Sequence, residues 1–147
     1  MAHYRATVRT RLSPEEAFSR VSDVARFAEW DPGVRAGKQV EGSGPGVGAA
    51  YDLLLAGGQT FRYRVESFEP NARYYMVART SRFVSLDTVT VEKHGEHTLV
   101  TYDAELRTRG LVGKLPLVDW GLQRIFNRIG ARASAGLARF LDGAVAA

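Results

Sequence analysis

The chain has 147 residues, 45% of them apolar and 24% charged, with a net charge of +4. One soluble globular domain spanning 1–147 is the expectation for that length and mix. The absence of cysteine excludes disulfides, thiolate zinc sites and cysteine nucleophiles. No run of about 18 apolar residues is present to span a membrane. The opening MAHYRATVRT has no apolar signal-peptide core, so a cytoplasmic location is the default expectation.

From His3 to Leu12, residues Tyr4, Ala6, Val8, Thr10 and Leu12 share one face and His3, Arg5, Thr7, Arg9 and Arg11 the other. Period two with one charged face predicts a half-buried strand, in which His3 has no evident partner. Ser13-Pro14-Glu15-Glu16 then supplies an N-cap, a proline at the first helical position and a carboxylate where a capping box needs one. The helix it starts carries Ala17, Phe18 and Val21 on its apolar stripe. A second short helix is predicted over Asp23 to Glu29, with Val24, Phe27 and Trp30 inside and Asp31-Pro32-Gly33 as its stop.

Strands follow. Val34 to Val40 reads as an edge strand, Gly42 to Gly48 as a loop, and Ala50 to Ala56 as a strand ending in a Gly57-Gly58 hairpin turn. Gln59 to Glu69, Arg73 to Thr80, Phe83 to Lys93 and Glu96 to Arg107 are the next four, with turns at Pro70-Asn71 and His94-Gly95. After Gly110 and Gly113 the period changes to 3.6. Val118, Leu122, Ile125, Phe126, Ile129, Ala133, Leu137 and Phe140 fall within roughly a 120° arc, and Arg124, Arg128, Arg132 and Arg139 within about 80° elsewhere. Pro116 to Asp142 is therefore predicted as one amphipathic helix about 40 Å long. The arginines read as its solvated face; with apolar residues turned inward, stable membrane insertion and nucleic-acid binding are not expected. Together these elements predict an α+β fold: a curved antiparallel sheet of about seven strands around a long C-terminal helix, with two short helices after the first strand.

The element order, the opening TVRTRLSPEEAFSRVSDVARFAEWDPGV and the close GLVGKLPLVDWGLQRIFNRIGARASAGLARFL resemble the START-like SRPBCC superfamily, most of all its polyketide cyclase/dehydrase and lipid-transport branch. The resemblance covers nearly the whole chain. It implies a helix-grip fold in which the sheet and the terminal helix enclose a cavity for an apolar or aromatic molecule. Members range from cyclases and hydrolases to carriers without chemistry, so the fold does not choose among them.

Hairpin parity indicates which side chains face such a cavity. A two-residue turn at His94-Gly95 pairs Lys93 with Glu96, Val91 with Thr98, Val89 with Val100 and Asp87 with Tyr102. The Pro70-Asn71 turn pairs Val65 with Met76, Tyr63 with Ala78 and Ser67 with Tyr74, sending Tyr63, Val65, Tyr74 and Met76 inward. At Gly57-Gly58 a two-residue loop sets Asp52 opposite Tyr63 and a three-residue loop sets Tyr51 there; a slip of one residue flips the strand.

Asp87 and Tyr102 are the candidate catalytic pair. A carboxyl in an apolar pocket is pushed toward neutrality and becomes a general acid or base, and a tyrosine beside it donates to a ligand carbonyl. The competing structural reading pairs Asp87 with Arg79 or Arg82. Trp30, Tyr63, Tyr74, Met76, Val89, Val100, Leu122, Ile125 and Ile129 are the candidate ligand-binding residues. Gly121, Gly130 and Gly136 are expected to make room where the helix nears the sheet.

Gly44-x-Gly46-x-x-Ala49 matches a loose dinucleotide fingerprint, but no helix follows it; it reads instead as a loop that could serve as a lid at the cavity mouth. His94 and His97 straddle a hairpin tip and read as solvated, and no G-x-S-x-G nucleophile motif occurs. Neither a metal nor a cofactor is expected. The leading functional reading is binding of an apolar or aromatic, polyketide-like small molecule, with cyclisation or dehydration as the candidate reaction. The alternative is a non-catalytic carrier or sensor of a lipid, quinone or similar metabolite. A third reading is a protein–protein module, for instance a homodimer through an edge strand or the exposed helix face.

Overall fold

The computed structural model describes residues 2–110 and 116–146. Gly113 and the side chain of Val118 lie outside the described residues. The chain runs β1 (Ala2–Thr10), α1 (Pro14–Val21), a 3-10 helix (Val24–Glu29), β2 (Val34–Glu41), β3 (Ala50–Leu55), β4 (Thr60–Glu69), β5 (Arg73–Arg79), β6 (Phe83–His94), β7 (His97–Thr108) and α2 (Pro116–Ala146). All seven strands form one antiparallel sheet in the order β1-β7-β6-β5-β4-β3-β2. The curved sheet with its C-terminal helix is the helix-grip arrangement.

Local chemistry explains the elements. β1 alternates buried and exposed residues from end to end, as its sequence does. The Ser13 hydroxyl accepts the Glu16 amide hydrogen at 3.2 Å, so α1 starts where its cap stands. One face of α2 buries Ala133, Leu137 and Leu141, and Arg124, Arg128, Arg132 and Arg139 lie exposed on the other.

The hairpins correct two details of the parity argument and decide a third that it left open. The β6–β7 turn centres on Gly95-Glu96, because the positive φ falls on Gly95 (65°), and His94 pairs with His97. Val91 therefore faces Val100, Val89 faces Tyr102 and Asp87 faces Ala104. Each partner moves by two residues, an even shift that leaves every side chain on its expected face. In β4–β5, Val65 faces Met76 and Tyr63 faces Ala78 as expected, but a bulge at Glu66 places Ser67 opposite Tyr75 and Phe68 opposite Tyr74. The β3–β4 loop has three residues, closed by the Leu55 amide donating to the Gln59 carbonyl at 2.7 Å. That sets Tyr51 opposite Tyr63 and turns Asp52 outward to Arg62.

Two glycines set how closely α2 approaches. A Cβ on Gly130 would lie 3.0 Å from the Tyr4 side chain, where the helix crosses β1. A Cβ on Gly136 would lie 2.1 Å from the carbonyl oxygen of Trp30, at the end of the 3-10 helix. Gly121 has nothing within 4 Å and makes no such accommodation. Gly136→Ala is expected to destabilise the protein by about 3 kcal/mol, since the rigid backbone carbonyl cannot move aside. Gly121→Ala is expected to be neutral or to stabilise by up to about 1 kcal/mol through helix propensity. Urea unfolding of the two variants checks this; equal stabilities would contradict the packing.

Candidate functional site

The concave face of the sheet is covered in two halves. On one, α1 and the 3-10 helix pack aromatic side chains onto the strands: Phe18 meets Tyr74 edge-on at 6.1 Å, and Trp30 meets Tyr102 edge-on at 5.2 Å. The Tyr74 hydroxyl donates to the Val21 carbonyl at the end of α1, at 2.5 Å. On the other half, α2 bridges the sheet and leaves a cavity of about 280 Å³. Its walls come from β1, the start of β2 with the Asp31 and Gly33 that precede it, β3, β4, β6, β7 and α2.

Of the side chains expected at the ligand site, Tyr63, Asp87, Tyr102, Leu122, Ile125 and Ile129 line this cavity. Trp30, Tyr74, Met76, Val89 and Val100 do not; they are buried in the hydrophobic core. Parity assigns a side chain to a face, and the helices decide which half of that face stays open. Ile125 is 55% exposed and stands at the rim.

Asp87 is 3% exposed and accepts a hydrogen bond from the Tyr102 hydroxyl. Ser85 Oγ donates to its other oxygen at 3.2 Å, and Ser85 Oγ lies 2.7 Å from the Tyr63 hydroxyl. Ser85 has one proton and directs it at Asp87, so Tyr63 is the donor to Ser85. No arginine reaches Asp87: Arg79 pairs with Glu66 at 2.9 Å, and Arg82 lies in the exposed turn before β6.

The sequence reading missed a second buried carboxyl, Asp31, which it took only as a helix stop. Asp31 is 5% exposed and lines the same cavity. One of its oxygens accepts the Gly33 amide hydrogen at 2.8 Å; the other has a long contact, 3.4 Å, from the Tyr4 hydroxyl. Tyr4 was legible as inward-facing by alternation. Nothing in Asp31-Pro32-Gly33 signals that its carboxyl turns into a cavity.

Burial governs the ionisation of these groups. Desolvation lifts Asp87 to about 7, against the opposing hydrogen bonds from Tyr102 and Ser85. Desolvation lifts Asp31 to about 6, opposed by the Gly33 amide and Tyr4. Tyr63 and Tyr102 are pushed well above the usual phenol value by burial and then by Asp87; burial and then Asp31 do the same to Tyr4. All three phenols keep their protons near neutral pH. With Asp87 ionised, Tyr102 is committed to it and is not the free donor to a ligand carbonyl that the sequence suggested. When Asp87 takes up a proton it must donate in turn. A bond from Asp87 to Ser85 lets Ser85 turn to Tyr63, which frees the Tyr63 proton for the cavity.

Two expectations fall away from the site. The Gly42 to Gly48 loop joins β2 to β3 at the end of β3 remote from Leu55 and Gly57, which line the cavity; none of the loop's residues does, so it is not a lid at this mouth. His3 does have a partner: its Nε2 lies 2.9 Å from Asp103, beside Arg5.

Asp87 gives stability a definite pH dependence. Its native value near 7 exceeds its usual 3.8, so between those limits the folded chain holds a proton that the unfolded chain has released. Stability from this group is therefore lost as pH rises from about 4 to about 7. Asp87→Asn is expected to gain on the wild type by several kcal/mol across that window, measured by urea unfolding at a series of pH values. A constant difference between the two would contradict the assignment.

The sequence matches the family model described as "Polyketide cyclase / dehydrase and lipid transport" over residues 1–140. A search of curated protein sequences gives no match. Among solved structures, the chain is similar to a START superfamily protein from Mycobacterium smegmatis at 17% identity, covering 96% of this chain and 97% of that one, with a TM-score of 0.74. It is also similar to the protein XoxI from Bacillus cereus at 21% identity, covering 96% of each chain, with a TM-score of 0.69. At these identities the likeness concerns the fold. The family match spans nearly all the elements that build the cavity, and the chain belongs to the polyketide cyclase/dehydrase and lipid transport family.

Proposed function

We propose that the protein binds an apolar or aromatic small molecule in the cavity between the sheet and α2, and that Asp87 exchanges a proton with it. The observation that carries this reading is a largely apolar cavity of about 280 Å³ with a buried, hydrogen-bonded carboxyl on its wall. Such a volume is at the small end of ligand sites, enough for a compact ring system. Tyr63, Leu122, Ile125 and Ile129 shape the walls; Tyr102 and Ser85 hold the carboxyl in place. An ionised Asp87 would accept a proton from an acidic carbon beside a carbonyl. The protonated form would return one to an oxygen leaving as water, which is the pair of steps that cyclisation with dehydration needs.

Native mass spectrometry of the protein purified from its own host, followed by denaturing extraction, is expected to release such a molecule. Leu122→Trp, which fills the cavity from the helix, is expected to emerge empty with its melting temperature little changed. With the extracted compound or its precursor as substrate, Asp87→Asn is expected still to bind it and to lose turnover by about a hundredfold or more. Occupancy unchanged in Leu122→Trp would overturn the cavity as the binding site. Unimpaired turnover in Asp87→Asn would remove the proton-transfer role and leave a carrier.

A further inference from the structure

The chain is basic overall, yet the described residues that line its cavity bring ionisable groups of one kind, acids and phenols. Asp31 and Asp87 line it together with the phenols Tyr4, Tyr63 and Tyr102; among the described lining residues none is lysine, arginine or histidine. The arginines of the sheet lie exposed on its outer face, where Arg5 pairs with Asp103, Arg62 with Asp52 and Arg79 with Glu66. Strand alternation keeps them there, so no cation of the sheet is available to the buried acids.

The hydrogen-bond directions sharpen the asymmetry. The protons of Tyr102 and Ser85 point at Asp87, that of Tyr63 at Ser85 and that of Tyr4 at Asp31. With the acids ionised, the cavity wall presents acceptors. One of them is poorly satisfied: among the described residues, the Asp31 oxygen facing Tyr4 has only the 3.4 Å contact, longer than an ordinary O–H···O bond, in a side chain that is 5% exposed. The remaining wall is rich in aromatic rings, with Phe61, Phe83 and Phe126 beside the three tyrosines. Aromatic faces around a cavity attract a cation, and ammonium groups are the ligands that such enclosures recognise.

We propose that the molecule bound in this cavity is an apolar amine, held as its ammonium form by Asp31 and Asp87 within the aromatic wall. This rests on the binding reading above and narrows its ligand class. A cation placed between the two carboxyls relieves their desolvation and supplies the hydrogen-bond donors that the wall lacks. A ligand carrying a carboxylate or phosphate would meet two acids and no counter-charge among the described lining residues, which costs affinity.

Three probes of one size test it by isothermal titration of the full chain at about pH 7.5: 2-naphthylmethylamine, 2-naphthylmethanol and 2-naphthylacetic acid. The amine is expected to bind at least about tenfold more tightly than the alcohol, with the acid weakest. Asp31→Asn and Asp87→Asn are each expected to bring the amine to within about threefold of the alcohol, with alcohol binding retained. Alcohol or acid binding as tight as the amine would overturn the ligand class while leaving the cavity reading intact. An amine preference unchanged in both variants would place it outside the cavity and overturn the proposal. Binding of none of the three would overturn the cavity reading and the proposal with it.

Discussion

A strongly curved sheet creates a concave face that its own side chains cannot fill, and the rest of this molecule answers that constraint. Close packing demands that the space be occupied or deliberately kept. Aromatic residues from α1 and the 3-10 helix occupy one half. The other half is spanned by α2, which contacts β1 at Gly130 and the Trp30 carbonyl at Gly136. These two contacts anchor the middle and C-terminal parts of the helix. Its earlier turns, with Leu122, Ile125, Phe126 and Ile129, roof the space that remains. The cavity is thus a consequence of where the helix is allowed to come close.

Strand alternation then sorts charge as well as hydrophobicity. Ion pairs such as Arg62 with Asp52 and Arg79 with Glu66 stay on the outer face, where water screens them and each contributes little. On the inner face two carboxyls sit among phenols and hydrocarbon. Lifting Asp87 from 3.8 to about 7 corresponds to about 4 kcal/mol of destabilisation once it is ionised, a large fraction of a domain's stability. An asparagine or a leucine at the same position would avoid that cost. Departures from local consistency of this kind concentrate at functional sites, and here the departure lies on the wall of the cavity.

Most of the fold was legible in the sequence because its signals are local. Alternation marked β1, Ser13 and Pro14 marked the start of α1, and the change of period marked α2. The inward facing of Asp87 and Tyr102 was legible even though their register was not: the turn is displaced by one residue at each end, and an even slip preserves faces. The bulge at Glu66 was not legible, nor was the choice between a two- and a three-residue loop at Gly57-Gly58, because each depends on backbone angles that several sequences share. The site was only half visible for a different reason. Trp30, Tyr74, Met76, Val89 and Val100 lie in the packed core rather than on the cavity wall, and only the tertiary placement of the helices separates the two. Asp31 was missed because its part in the chain stop is local, whereas its part in the cavity depends on a tyrosine 27 positions away in sequence.

The account turns on Asp87 being a desolvated carboxyl that titrates near neutrality inside the cavity. The most direct test is a carbon-13 NMR titration of the side-chain carboxyls in aspartate-labelled protein, with Asp87→Asn identifying the resonance. A resonance absent from the variant that titrates in the wild type with a midpoint near 7 is the expected result. A midpoint near 4 would mean that water reaches the carboxyl freely, and would contradict both the burial of Asp87 and the proton-transfer role assigned to it.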